Sequence, residues 1–289
     1  MNNSYTVNDS GIDFRLKEML LELISSENFK IPMLPTIAQE LISTIDNPHI
    51  TFNKLADIIK KDAFIGAKLL KVANSPFYAG GFPVSKIEVA LQRIGIEEVK
   101  KILFLITMSN FLIKKGRYSY LFKEFWEHSL LSAISGKAIA EMLKIDSSYA
   151  YIAGLLHDIG RTFVLIGVME LEKKFGSEKM PDEIIVRQVS FELHTKIGEL
   201  IASRWNLPDL IKNSIVYHHS LEKARTNDIS LITLASEKML SFFDKSDEES
   251  MKDIAMEPAF YILGLTREQI EELKEKMPPL YEKALLIEV

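Results

Sequence analysis

An all-α fold is predicted by three features of the sequence. Apolar residues recur at helical spacing in nearly every segment, prolines and glycine pairs fall between those segments, and no alternating run bounded by turn residues marks a strand. In "TFNKLADIIKKD" (51–62), Thr51 takes the cap position ahead of Phe52, Leu55, Ile58 and Ile59. "DAFIGAKLLKVANS" repeats the pattern, with Asp62 as cap and Ile65, Leu69 and Val72 on one face. "SKIEVALQRIG" (85–95) opens on Ser85 with Glu88 three residues later, a capping box, and closes on Gly95. "IEEVKKILFLITMSNFLIKK" follows as a long, largely buried helix. Pro32, Pro35, Pro48, Pro76, Pro83 and the Gly80-Gly81 pair separate these segments.

At "KKGRYSY" (114–120) the apolar pattern gives way to a polar hinge, and "SYLFKEFWEHSLLSAISGKAIAEML" then reads as one long helix. The resulting division is an N-terminal extension (1–28), a first helical part (29–117), a second helical part holding most histidines (118–243), and an acidic loop with C-terminal helices (244–289). Within the last, "DKSDEESMKD" (244–253) is a solvated charge run.

Composition narrows the function. A chain of 289 residues buries roughly three quarters of its unfolded surface and needs no covalent staples. Cysteine is absent, so disulfides, thiolate metal sites and thiol catalysis are excluded together. A net charge of −5 argues against sequence-independent nucleic-acid binding, which needs concentrated Lys and Arg. "MNNSYTVNDSG" has neither the basic flank nor the apolar core of a signal peptide, and runs such as "ILFLITM" (102–108) are too short to cross a bilayer. A cytoplasmic location without membrane partners is the expectation.

Any metal must then be held by nitrogen and oxygen, and the candidates cluster. Five of the six histidines, His128, His157, His194, His218 and His219, lie in the second half, while His49 follows a proline and reads as a surface turn residue. "GLLHDIG" (154–160) places His157 beside Asp158 at the end of an apolar run, where a change of direction lets adjacent side chains converge. Glu124 precedes His128 by one helical turn and shares its face. Inward ligands from several helices are the usual way a helical bundle builds a metal site, and imidazole with carboxylate suits first-row divalent ions.

With these residues in view, the chain resembles the HD superfamily of metal-dependent phosphohydrolases, and specifically its HDOD branch. The resemblance rests on "IPMLPTIAQELI", "LADIIKKDAFIGAKLLKVANSPFY" and "SKIEVALQRIGIEEVKKILF" in the first half. In the second it rests on "WEHS", "GLLHDIGRTFVL" and "FELHTKIGELIASRWNLPDLIKNSIVYHH". It implies an HD-type helical bundle with an N-terminal helical HDOD subdomain. It also implies that His128, His157 and Asp158 serve one metal position, and that Asp158 bridges to a second served by His194, His218 and His219, with Glu124 a further ligand. The metal would be divalent: Fe, Mn, Zn or Ni.

Two departures from the superfamily pattern stand out. The last Asp of that pattern aligns with Ser236 in "ISLITLASEKML", so the first position is expected to lack an anionic ligand. The Lys that follows the Gly in catalytic relatives is Arg161, suited to contacting phosphate but not to donating a proton. "HHSLEKAR" also lacks the Gly-Tyr-Pro element of the cyclic-di-GMP phosphodiesterase branch. The implied function is a bacterial-type signalling module that binds a partner protein or small phosphorylated ligand at a degenerate site, with little or no hydrolysis. The alternative is an active phosphohydrolase on a nucleotide or phosphoester.

Overall fold

The computed structural model describes residues 9–26, 29–45, 51–78, 80–241 and 257–288, and among them there are helices and no strand. His49 and the acidic run 244–253 lie outside the described residues. The first half comprises α1 (Asp9–Ser25), α2 (Thr36–Ser43), α3 (Phe52–Lys60), α4 (Ala63–Ala73), α5 (Ile87–Ile94) and α6 (Ile96–Leu112). The second comprises α7 (Ser119–Leu143), α8 (Ser147–Leu156), α9 (Ile159–Phe175), α10 (Glu183–Arg204), α11 (Asp209–Tyr217), α12 (Leu221–Ala224) and α13 (Asp228–Ser241), with a 3₁₀ turn at Ser177–Lys179. Two more, α14 (Pro258–Ile262) and α15 (Arg267–Glu288), complete the described chain.

Local chemistry sets several of these limits. Thr51 caps α3 through its side chain, which accepts from Lys54 N. Asp62 caps α4, its Oδ1 accepting from Phe64 N at 2.9 Å and Ile65 N at 3.3 Å. Because those two amides have no carbonyl partner within the helix, Asp62→Ala is expected to cost about 1 kcal/mol of stability, read as a shifted urea midpoint. The capping box at Ser85 does not form. Helix α5 starts at Ile87 without a side-chain cap, and Glu88 instead pairs with Lys60 of α3 at 2.6 Å. Gly95 ends the helix with φ +89, a conformation that disfavours side chains.

In the second half α7 packs along α8 and α13, while α9 packs along α10. The two halves are tied together by both ends of the described chain. Helix α1 lies on α9 and α10, burying Leu16, Leu20 and Ile24, and α15 lies on α6 and α7. Trp205 at the end of α10 donates from Nε1 to Pro32 O at 3.0 Å, a further link. The stretch Ser147–Phe175 is long and apolar enough to cross a membrane by composition, contrary to the expectation from shorter runs. It is two helices broken at His157-Asp158, and 83% of its most apolar window is buried against other helices.

Candidate metal centre

The break between α8 and α9 is where the chemistry gathers. Helix α8 ends at Leu156, His157 and Asp158 form the corner, and α9 starts at Ile159. Glycines allow the surrounding helices to approach this corner. A Cβ on Gly154 would lie 2.7 Å from Ala133 Cα of α7, and one on Gly160 would lie 1.9 Å from the His194 carbonyl of α10. His128 from mid-α7, His194 from α10 and His218-His219 from the end of α11 complete the ring of histidines.

The donor atoms form two groups. Those of His128, His157 and Asp158 lie within 4.8 Å of one another, as do those of His194, His218 and His219. Asp158 faces both. Its Oδ2 is 3.4 Å from His157 Nε2 and 3.6 Å from His128 Nε2, while its Oδ1 is 3.4 Å from His194 Nε2 and 3.6 Å from His218 Nε2. Within the second group, His194 Nε2 is 3.1 Å from His218 Nε2 and 3.0 Å from His219 Nε2.

Glu237 of α13 is a second carboxylate in the first group. Its Oε2 lies 3.0 Å from His128 Nε2 and its Oε1 3.1 Å from His157 Nε2. Ser236, by contrast, donates to Ile232 O at 2.8 Å and packs beside Gly136 of α7. The anionic charge expected to be missing at Ser236 is therefore supplied one residue later, by a side chain one methylene longer. A Glu directly after the aligned position is the available signal. Glu124 does not join either group: its carboxylate is held bidentately by Arg187 of α10.

The fit to a divalent cation can be judged from the hydrogen bonds. Nδ1 of His157 lies 2.7 Å from Gly154 O, that of His194 2.5 Å from Phe191 O, and that of His218 2.9 Å from Ile215 O. A carbonyl only accepts, so each Nδ1 carries the proton and each Nε2 turns towards the cluster. Burial pushes His194 down to about 3, against the pull of Asp158, and pushes His219 down to about 4. Neutral His194 therefore turns its Nε2 lone pair towards the Nε2 atoms of His218 and His219, 3.1 and 3.0 Å away. Ligand atoms around a small divalent ion at about 2.1 Å stand about 3 Å apart, which matches. On the other side, burial alone would lower His157, but Asp158 and Glu237 carry it up to about 10. Burial alone would raise Asp158 and Glu237, yet His157 holds both well below the usual range. Even so, His157 Nε2, both Asp158 oxygens and Glu237 Oε1 are buried without completing a hydrogen bond. The residues fit a cation.

If Glu237 is a ligand, Glu237→Gln should weaken Mn(II) binding at the first position by about tenfold or more, whereas Glu124→Gln should leave it unchanged. Calorimetric titration of the two variants separates these outcomes.

A helical fold that gathers five imidazoles and two carboxylates from five helices and their corners belongs to the class of all-α proteins whose nitrogen and oxygen donors could hold a metal ion. The HDOD domain family matches residues 31–221, and the chain belongs to that family. Among solved structures, an HDOD domain protein from Geobacter sulfurreducens superimposes with a TM-score of 0.72 at 21% identity, covering 95% of this chain and 97% of that one. A Shewanella amazonensis SB2B protein, provisionally named a metal-dependent phosphohydrolase, gives 0.63 at 18% identity over 91% and 99%. A Marinobacter aquaeolei VT8 protein, provisionally named a signal transduction protein, gives 0.66 at 19% over 98% and 66%. An uncharacterized protein of Treponema pallidum (strain Nichols) is 26% identical over 202 residues, 67% of this chain. This chain spans only 38% of that relative's length.

Proposed function

We propose that this HDOD protein is a regulatory module of bacterial-type signal transduction that takes up divalent metal at its His/carboxylate cluster and recognises a small phosphorylated ligand beside it. The observation that carries this reading is the setting of Arg161. Its Nε lies 2.8 Å from Asp158 Oδ2, and its guanidinium carbon sits between the rings of Phe125 and Phe191, at 5.6 and 5.5 Å. Only 15% of the side chain is exposed, yet its terminal nitrogens donate to no described residue. A guanidinium fixed by two aromatic faces and one carboxylate is pre-organised to bind phosphate oxygens bidentately. Bound divalent cations at such a site supply Lewis acidity towards a phosphoryl oxygen and offset its charge. The protein's own part is to turn Nε2 of His157, His194 and His218 towards the cluster, to place Asp158 between the two groups, and to fix Arg161 at their edge.

The test is calorimetric titration of the Mn-loaded protein with phenyl phosphate. Arg161→Met is expected to weaken binding by about tenfold or more, and Arg161→Lys to recover part of the loss. Equal affinity in Arg161→Met and wild type refutes phosphate recognition by this residue.

A second reading, turnover of a phosphoester, is favoured by Glu237, which returns to the first position the negative charge that Ser236 withholds. Against it stands Arg161, which stays charged and cannot donate a proton. Multiple turnovers of bis(p-nitrophenyl) phosphate with Mn(II), lost in Asp158→Asn, would establish hydrolysis and replace the first reading.

A further inference from the structure

Away from the metal centre, a pocket of about 80 Å³ opens where α15 crosses α6 and α7. Its polar side is built round Glu98. Oε1 accepts from Lys283 Nζ and from the Tyr78 hydroxyl, each at 2.9 Å, and Oε2 accepts from Lys137 Nζ at 3.1 Å. Burial would raise the Glu98 carboxyl, but Lys137 and Lys283 hold it down at about 2, so it is an anion fully engaged with those donors. Lys101, one turn along α6, lines the same pocket and forms no hydrogen bond or ion pair with any described residue. Burial, and then the charge of Lys137, depress its ammonium, with Glu98 and Glu141 only partly compensating. Its apolar lining includes Ile102, Leu105, Ile134 and Leu280.

A half-buried ammonium next to another cation is costly unless an anion joins it. The apolar lining offers nothing to a fully hydrated ion and rewards hydrocarbon. The enclosed space is about half of the ~150 Å³ that admits benzene, which limits the tail to a few carbons. We propose that this pocket binds a short-chain organic carboxylate, its anion taken by Lys101 and its tail lying on Ile102, Leu105, Ile134 and Leu280. Because Leu280 and Lys283 belong to α15, such a ligand would fasten the C-terminal helix to α6 and α7.

The experiment is a two-dimensional NMR titration of the full chain, freed of metal by dialysis, with sodium butyrate against sodium chloride at matched ionic strength. Saturable shifts confined to the neighbours of Lys101 and Leu280 are expected, with 1-butanol giving none. Lys101→Met should weaken butyrate by about tenfold, the loss expected for a hydrogen bond to a charged group. Lys101→Gln is a second variant, should the first lose its fold. The proposal is overturned by no saturable response, by shifts centred on His194 and His218 instead, or by affinity unchanged in both variants. Inorganic phosphate binding as tightly as butyrate would do the same, since it would make the apolar wall irrelevant.

Discussion

Asp158→Asn is expected to abolish tight metal binding at both groups of ligands in one step, lowering Mn(II) affinity by more than about a hundredfold. The reason is geometric: one carboxylate oxygen faces His128 and His157 and the other faces His194 and His218. Glu237→Gln reaches only the first group, so it should leave one binding step intact. Stability should fall as well in the metal-free protein, by about 3 kcal/mol, because the buried His157 imidazolium loses one of its two anions and keeps only Glu237. Elemental analysis and calorimetric titration of Asp158→Asn, after circular dichroism has confirmed its fold, give the answer. A variant that keeps one tight site would show that Asp158 serves a single group.

Gly160→Ala should be the most damaging glycine-to-alanine substitution among the described residues, costing about 3 kcal/mol or more in urea unfolding. The new Cβ would meet the His194 carbonyl oxygen at 1.9 Å, its carbon at 2.6 Å and Gly198 N at 2.8 Å. All three are backbone atoms of α10, so no rotamer change relieves the overlap and α9 must move away from α10. His194 moves with α10, so metal affinity should fall together with stability. Gly167→Ala meets only the side-chain ends of Leu20 and Ile24, at 2.8 and 3.0 Å, and should cost less. Gly81→Ala meets nothing within 4 Å and serves as the control. Near-equal midpoints for the Gly160 and Gly81 variants would contradict this close approach.

What could be read in the sequence was what depends on near neighbours. The caps at Thr51 and Asp62, the limits of α7 and the corner at "GLLHDIG" follow from residues within a turn or two of each other. The gathering of five histidines followed from helical placement together with family resemblance. What stayed hidden depended on distant partners. Glu124 does share a helix face with His128, but Arg187, 63 residues further on, claims its carboxylate. Glu88 was placed to close a capping box and is drawn instead to Lys60 on another helix. Ser236 occupied the aligned position, yet what mattered there was reach. A Glu side chain from the next residue spans the gap to His128 and His157, and a small residue at 236 is what lets α13 lie against Gly136.

The seating of α1 on α9 and α10 has a consequence for how the chain is made. A ribosome delivers Leu16, Leu20 and Ile24 long before it delivers Gly167 and the helices that cover them. For more than a hundred residues of synthesis this amphipathic segment has no native surface to lie on. That docking must close a loop of such a length against chain entropy, which slows folding relative to a bundle of sequential hairpins. Until then the nascent chain carries an exposed apolar stripe, a natural target for the chaperones that meet polypeptides at the exit tunnel.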